Sequence, residues 1–355
     1  MAEETPAPDS LRQVFARLIR ATGPISVAHF MAESNARYYS RRDPLGLAGD
    51  FITAPEVSQM FGEMIGLWLA DIWLRAGRPA GLAYVEAGPG RGTLAQDALR
   101  AAARQGLVPD VHFIETSPAL RAAQQERFPG AIWHDDFATL PDDRPLMIVG
   151  NEFLDALPVR QMVRMAQGWR ERMVGWDGPA QRLLPVAGDR PMDAAVPAPW
   201  RDAAEGTIIE SCPAAAAVTA EVASRLAAQG GVALWIDYGH AQPQQGSTLQ
   251  AVRAHRKVDP FADPGEADLT ALVDFAALGS VVERASARLD GIITQGEFLR
   301  TLGIEARAAA LASRASDQAP ALGRALARLI APDEMGNLFK VMAFSAAHWP
   351  VGAAF

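Results

Sequence analysis

Glu86-Ala87-Gly88-Pro89-Gly90-Arg91-Gly92 decides how this sequence of 355 residues is read. The residues before it, Leu82-Ala83-Tyr84-Val85, form a short apolar run, and residues 93–104 after it have helical spacing closed by Gly106. A glycine-rich turn between a strand and a helix lets a ligand approach the backbone at the positive end of the helix dipole. Two cofactor classes use such a turn. The dinucleotide fingerprint needs a further glycine or alanine three positions after its second glycine, and Thr93 stands there. The pattern acidic-x-Gly-x-Gly-x-Gly is complete in Glu86, Gly88, Gly90 and Gly92. It suits S-adenosylmethionine, whose ammonium and sulfonium favour an acidic neighbour. A tight turn that binds nothing is the competing reading, and the strands that follow weigh against it.

Working outward, Val111-His112-Phe113-Ile114 ends at Glu115, Ala131-Ile132-Trp133 is followed by Asp135-Asp136-Phe137, and Leu146-Met147-Ile148-Val149 leads to Asn151-Glu152. Ser117-Pro118 opens the helix between the first two of these strands. Apolar strands alternating with helices predict a parallel sheet covered on both faces, and such sheets bind ligands at the carboxyl ends of their strands. The cofactor candidates are therefore Glu86, Gly88, Gly90, Gly92 and Thr93 in the loop, with Glu115 and Ser117 at the ribose. Asp135 and Asp136 are candidates for the adenine amine and Phe137 for stacking on the base. Asn151, Glu152 and Asp155 are the catalytic candidates beside the transferred methyl. Paired carboxylates localise the charge of a guanidinium and orient it by bidentate bonds. The bland alternative makes Glu152 a turn cap and Asp155 a solvated side chain.

The flanking segments carry weaker signals. Residues 11–21 and a short stretch from Pro24 to about Glu33 read as helices. Thr53-Ala54-Pro55-Glu56 reads as a capping box opening a helix that ends near Gly77, and Asp50-Phe51 just before it either as a cofactor lid or as a plain loop leading into that helix. Residues 158–188 read as an inserted hairpin region, 189–205 as loop, 231–237 as a fifth core strand and 240–268 as a long excursion. Helices are expected at about 269–279, 295–302 and 316–330, and a last strand at 337–344. The expected fold is α/β: a Rossmann-like core of residues 81–157 and 206–240, completed by the strand at 337–344. Residues 1–80 form an N-terminal helical extension, and 158–205 and 241–335 are insertions serving substrate or partner.

Bulk composition narrows the classes. Hydrophobic residues make up 49% and charged residues 21%, as in globular enzymes. A formal net charge of -8 argues against broad nucleic-acid binding, which needs clustered cations. The amino-methylation motif of nucleic-acid enzymes, with Pro-Pro-Tyr after the Asn, is also absent, because Glu152-Phe153-Leu154 follows Asn151. The single cysteine, Cys212, forms no internal disulfide, and no apolar run reaches membrane-spanning length. No metal-ligand spacing is present. The first ten residues have neither the basic-apolar pattern of a secretory signal nor the arginine richness of a transit peptide, so a cytoplasmic protein is expected. Oligomeric state is not readable.

Longer stretches carry a resemblance. Gly49-Asp50-Phe51-Ile52-Thr53-Ala54-Pro55-Glu56 with Ser58-Gln59-Met60-Phe61-Gly62-Glu63, the glycine loop, Asn151-Glu152-Phe153-Leu154-Asp155-Ala156-Leu157-Pro158, Ile236-Asp237-Tyr238-Gly239, Pro264-Gly265-Glu266-Ala267-Asp268-Leu269-Thr270 and Gly336-Asn337-Leu338-Phe339-Lys340-Val341 resemble the MidA-like family of S-adenosylmethionine-dependent methyltransferases. The resemblance runs from about Ile25 to Phe344. It implies a methyltransferase core, S-adenosylmethionine as cofactor and methylation of a protein arginine on a subunit of respiratory complex I. Gly88, Gly90 and Gly92 match the family's cofactor loop, and Asn151, Glu152 and Asp155 match its segment beside the methyl. Ala87 departs from the bulkier residue usual there. An assembly factor that binds the cofactor but holds its partner with little catalysis is the alternative.

Overall fold

The computed structural model describes residues 10–41, 53–253 and 256–355. In chain order its first elements are α1 (Leu11–Thr22), β1 (Ile25–Ser26), α2 (Val27–Arg41), α3 (Ala54–Val57), α4 (Gln59–Arg75), β2 (Ala83–Ala87), α5 (Thr93–Ala103), β3 (Asp110–Ile114), α6 (Pro118–Arg127), β4 (Ile132–His134) and β5 (Leu146–Asn151). There follow β6 (Arg160–Met165), β7 (Gly168–Asp177), β8 (Arg182–Pro191), β9 (Ile208–Ser211), α7 (Pro213–Gln229), β10 (Gly231–His240), β11 (Gln250–Arg253), β12 (Arg256–Val258) and β13 (Asp268–Thr270). The chain closes with β14 (Val273–Asp274), α8 (Phe275–Arg284), β15 (Arg288–Thr294), α9 (Gln295–Thr301), α10 (Ile304–Arg314), α11 (Ala319–Ile330), α12 (Met335–Leu338) and β16 (Phe339–Ser345).

The larger of two compact units comprises the described residues within 43–155, 215–243 and 272–355. Its sheet has the order β15-β16-β10-β5-β2-β3-β4, with β14 extending β10. Strands β4, β3, β2, β5 and β10 are mutually parallel, and β16 runs antiparallel between β10 and β15. The chain moves outward from β2 to β3 and β4, then returns to place β5 on the other side of β2. That reversal opens a crevice between the carboxyl ends of β2 and β5.

Strand periodicity explains the core. Tyr84 on β2, Met147 and Val149 on β5, Leu234 and Ile236 on β10, and Val341 and Ala343 on β16 alternate along their strands and so share one sheet face. They join a buried cluster with Met60, Phe61, Met64, Ile65 and Trp68 of α4 and with Phe298, Ile304 and Leu329 of the C-terminal helices. Every residue of β2 is buried, as a strand covered on both faces requires. Helix α4 lies against α5 almost backbone to backbone. A Cβ on Gly66 would come 2.0 Å from the carbonyl oxygen of Ala98, and one on Gly62 would come 2.6 Å from Cβ of Asp97.

The second unit comprises the described residues within 1–42, 156–214 and 244–271. Here β1, β7, β6 and β9 form one sheet with β8 on β7, and β11 pairs with β12 and β13 in a small second one. Phe15, Ile19, Val27 and Phe30 of the N-terminal helices pack with Val174, Leu183, Ala251 and Leu269.

Several elements differ from the sequence reading. Residues 10–41 belong with the inserted strands, whereas 54–75 and 272–355 belong with the methyltransferase-like sheet. Helix α2 runs to Arg41, β7 spans Gly168–Asp177, and β8 runs from Arg182 to Pro191, just past the start of what reads as loop. β13 and β14 stand where a helix was expected, and α8 starts only at Phe275. β15 is an unforeseen strand, and helix α10 is likewise unforeseen. Thr53 is the N-cap of α3 by its backbone but makes no side-chain cap bond, and the Glu56 carboxylate, which would complete a capping box, accepts from Thr93 instead. Ser58 breaks the helix and caps α4 instead. Among the described residues no helix is long and apolar enough to cross a membrane.

Candidate active site

The glycine loop leaves β2 in a conformation that side chains resist: Gly88, Gly90 and Gly92 have φ of 63°, 54° and 76°. A Cβ on Gly88 would meet the Phe153 ring at 3.1 Å, and one on Gly92 the Phe128 ring at 3.1 Å. The loop is held from outside its own sequence. Gly88 donates its N–H to the Ile114 carbonyl at 3.0 Å, and Gln124 of α6 donates to the Gly90 carbonyl at 2.7 Å. Gly92 then forms the left-handed N-cap of α5.

A cleft opens beside this loop, at the carboxyl ends of β2 and β5. It is lined by Gly88, Gly90, Thr93 and Glu86 on one side and by Asn151 and Glu152 at the end of β5 on the other. Pro55 and Glu56 of α3 add a further wall. The cleft thus brings together six predicted site residues with one carboxylate, Glu56, that sequence reasoning placed in a helix cap.

Its carboxyl groups are not equivalent. Glu86 is 3% exposed. It accepts the Tyr84 hydroxyl at 2.6 Å, and burial pushes its pKa up to about 8, against the opposing bonds from Tyr84 and the Ala95 N–H. Glu152 has φ 52°, a left-handed backbone conformation that non-glycine residues rarely adopt. Its Oε1 accepts the Ala54 N–H at 3.0 Å and the Asn151 side-chain amide at 3.1 Å. Burial pushes Glu152 up to about 7, with Asp155 adding to the rise. The Asn151 side-chain oxygen is buried without a hydrogen-bond partner.

Asp155 is buried at the far side of a tight turn. Asp237, at the end of β10, clamps that turn: its Oδ2 accepts the N–H groups of Phe153, Leu154 and Asp155 at 3.2, 2.9 and 3.2 Å. Its Oδ1 accepts the Tyr238 N–H at 3.0 Å. Burial, with Asp155 and Glu152 close by, raises the Asp237 pKa, and these donors pull against that rise. Asp237 was visible in the sequence only as part of a strand end.

The remaining predicted residues among those described do not line the cleft. Glu115 follows β3, where its Oε1 accepts the Ser117 N–H at 2.8 Å. Its pKa is raised by burial. The Ser117 hydroxyl caps α6. Asp135 is 82% exposed and pairs with Arg121 at 2.6 Å, while Asp136 caps the turn 137–139. Phe137 is buried, edge-on to Phe153 and Trp235, and presents no open face. Asp50 and Phe51 lie outside the described residues.

The residues present fit S-adenosylmethionine. A glycine cradle accepts close approach, carboxyl groups face a ligand bearing two cationic centres, and the Asn151 oxygen is an unused acceptor. A glycine loop of this kind, at the switch point of a parallel sheet closed by the antiparallel strand β16, defines an S-adenosylmethionine-dependent methyltransferase. The comparisons agree. The family profile described as S-adenosyl-L-methionine-dependent methyltransferase matches residues 64–293. The chain belongs to this family, the MidA-like methyltransferases. It is 34% identical to the Homo sapiens protein named protein arginine methyltransferase NDUFAF7, mitochondrial, over 96% of this chain and 84% of that one. The Xenopus laevis protein of the same name is also 34% identical, over 91% and 81%. A Burkholderia thailandensis protein solved bound to S-adenosyl-homocysteine superposes with a TM-score of 0.83 at 30% identity, covering 99% of this chain and 97% of that one. The cytoplasmic placement expected from the sequence is overturned by the named relatives, which are mitochondrial proteins.

Proposed function

We propose that this methyltransferase transfers the methyl of S-adenosylmethionine to a nitrogen of a protein arginine, and that its substrate is a subunit of respiratory complex I. The observation that carries the reading is the turn 151–155, which sets Glu152 beside the glycine loop with Asp155 buried behind it. The names of the relatives support the protein-arginine substrate, and the sequence resemblance supports complex I. The cofactor supplies the methyl when bound. The protein's residues orient the acceptor and take its proton. A guanidinium that gains a methyl from the sulfonium stays a monocation only by releasing a proton, while the cofactor leaves as a thioether that has lost the sulfonium charge. Glu152, with a pKa near 7, is matched to accept that proton at neutral pH. Asn151 holds the Glu152 carboxylate through Oε1 and leaves Oε2 toward the acceptor. Asn151, Glu152 and Asp155 are thus the proposed catalytic residues, with Glu115, Ser117, Asp135 and Asp136 toward the adenosyl half. The test is mass spectrometry of respiratory complex I from cells with and without the gene. A methylated arginine present only with the gene supports the reading, and identical arginines in both refute the proposed substrate.

A further inference from the structure

The glycine motif assigns the cofactor's cationic amino-acid end to Glu86, but Glu86 is badly placed for that task. It is 3% exposed, and its Oε2 is committed to the Tyr84 hydroxyl. The Ala95 N–H binds the same carboxyl group from the first turn of α5. These bonds tie β2 to α5 on either side of the loop, which is the work of a strut.

Glu56 is differently held. It is half-buried in the cleft wall, on α3 rather than in the motif. Its Oε1 accepts the Thr93 hydroxyl at 2.9 Å, and its Oε2 has no hydrogen-bond partner among the described residues. Thr93 is itself steadied by Arg127, which donates to its hydroxyl at 3.3 Å. Helix α3 makes a second polar contact, the bond from Ala54 N–H to Glu152. One short helix therefore reaches both the cofactor loop and the proposed methyl acceptor site. Pro55 at its first turn restricts the backbone that presents Glu56.

We propose that Glu56, supplied by α3 from outside the glycine motif, is the carboxylate that meets the ammonium of the cofactor's amino-acid end, and that Glu86 is the buried strut that shapes the loop. Thr93 is the positioning residue that orients Glu56. The ligand class recognised by Glu56 is an α-amino acid end, so the selectivity it confers is for adenosyl thioethers that keep that end.

Calorimetric titration of the full chain tests this with two ligands: S-adenosyl-homocysteine, which carries the ammonium, and 5′-methylthioadenosine, which has no amino-acid end. Glu56→Gln keeps an acceptor for Thr93 and removes the charge. It is expected to weaken S-adenosyl-homocysteine by about tenfold or more while changing 5′-methylthioadenosine by less than about twofold. Thr93→Val, which leaves Glu56 charged but unoriented, is expected to give the same selectivity at about threefold. Equal weakening of both ligands in Glu56→Gln would mean a structural role and overturn the proposal. So would a selective loss in Glu86→Gln with Glu56→Gln binding like the wild type. If Glu56→Gln does not fold, Thr93→Val decides by the same criterion.

Discussion

Asp237→Asn is the substitution whose effect follows most directly from counting donors. Four backbone N–H groups converge on one carboxylate: three from the turn 153–155 at 2.9–3.2 Å and one from Tyr238 at 3.0 Å. The site is 1% exposed, so water does not replace a lost acceptor. Asparagine offers one oxygen and one amide. With its oxygen toward the turn, its NH₂ faces the Tyr238 N–H and orphans one donor; reversed, it orphans three. An orphaned buried donor costs about 1–3 kcal/mol, and the less damaging orientation sets the expected loss at about that value. Asp237→Ala orphans all four and removes a large part of a typical total stability of about 5–15 kcal/mol. Urea denaturation measures the loss, titration with S-adenosyl-homocysteine checks the cofactor loop, and methyl transfer checks the turn. The glycine loop makes no bond to Asp237, so affinity is expected to stay within about threefold. Transfer is expected to fall at least about tenfold, since Glu152 and Asp155 sit on the turn that loosens. An Asp237→Asn protein with the wild-type urea midpoint and wild-type transfer would refute the clamp.

Other predictions concern packing and pH. Gly66→Ala should lose about 1–3 kcal/mol or more in thermal or urea unfolding, since the new Cβ lands 2.0 Å from the Ala98 carbonyl oxygen and overrides about 1 kcal/mol of helix propensity gained. Glu86 holds a proton up to about pH 8 in the folded chain, whereas its ordinary value is 4.5. The folded state thus binds more protons across that window, and stability falls as pH rises through it. Glu86→Gln should flatten this slope, measured as unfolding free energy against pH; an unchanged slope contradicts the burial argument. Methyl transfer by the wild type should rise with pH through about 7 as Glu152 ionises. Glu152→Gln should lower the rate by about 10²–10⁴-fold and abolish that rise, read from a pH–rate profile.

Local signals were legible where one stretch of chain completes the structure. The strand–turn–helix at residues 83–103 is such a case, because its apolar run, glycines and helix are contiguous. The pair Tyr84 and Glu86 is legible too, since residues two apart share a strand face. Capping boxes show the limit of local reading. Thr294 and Glu297 form one, but Thr53 and Glu56 do not, although the spacing is the same. The difference is Thr93, whose hydroxyl lies 37 positions away in sequence and takes the Glu56 carboxylate. Asp237 is the extreme case: its three partners in the turn stand 82–84 positions upstream, so nothing near it in the chain announces the clamp. β15 escaped notice because all seven of its residues are only partly buried at the sheet edge, which blurs the alternation that marks a strand. Asp135 and Phe137 follow the right strand, yet the Arg121 ion pair and the Phe153–Trp235 cluster already engage them.

The central claim is methyl transfer to a protein arginine through Glu152, and labelled transfer tests it most directly. Purified protein and methyl-labelled S-adenosylmethionine are incubated with extract from cells lacking the gene, beside a Glu152→Gln control, and the labelled protein is hydrolysed to amino acids. The account predicts label on arginine with the wild type and none with the variant. Label on another residue, or equal label with Glu152→Gln, would contradict it.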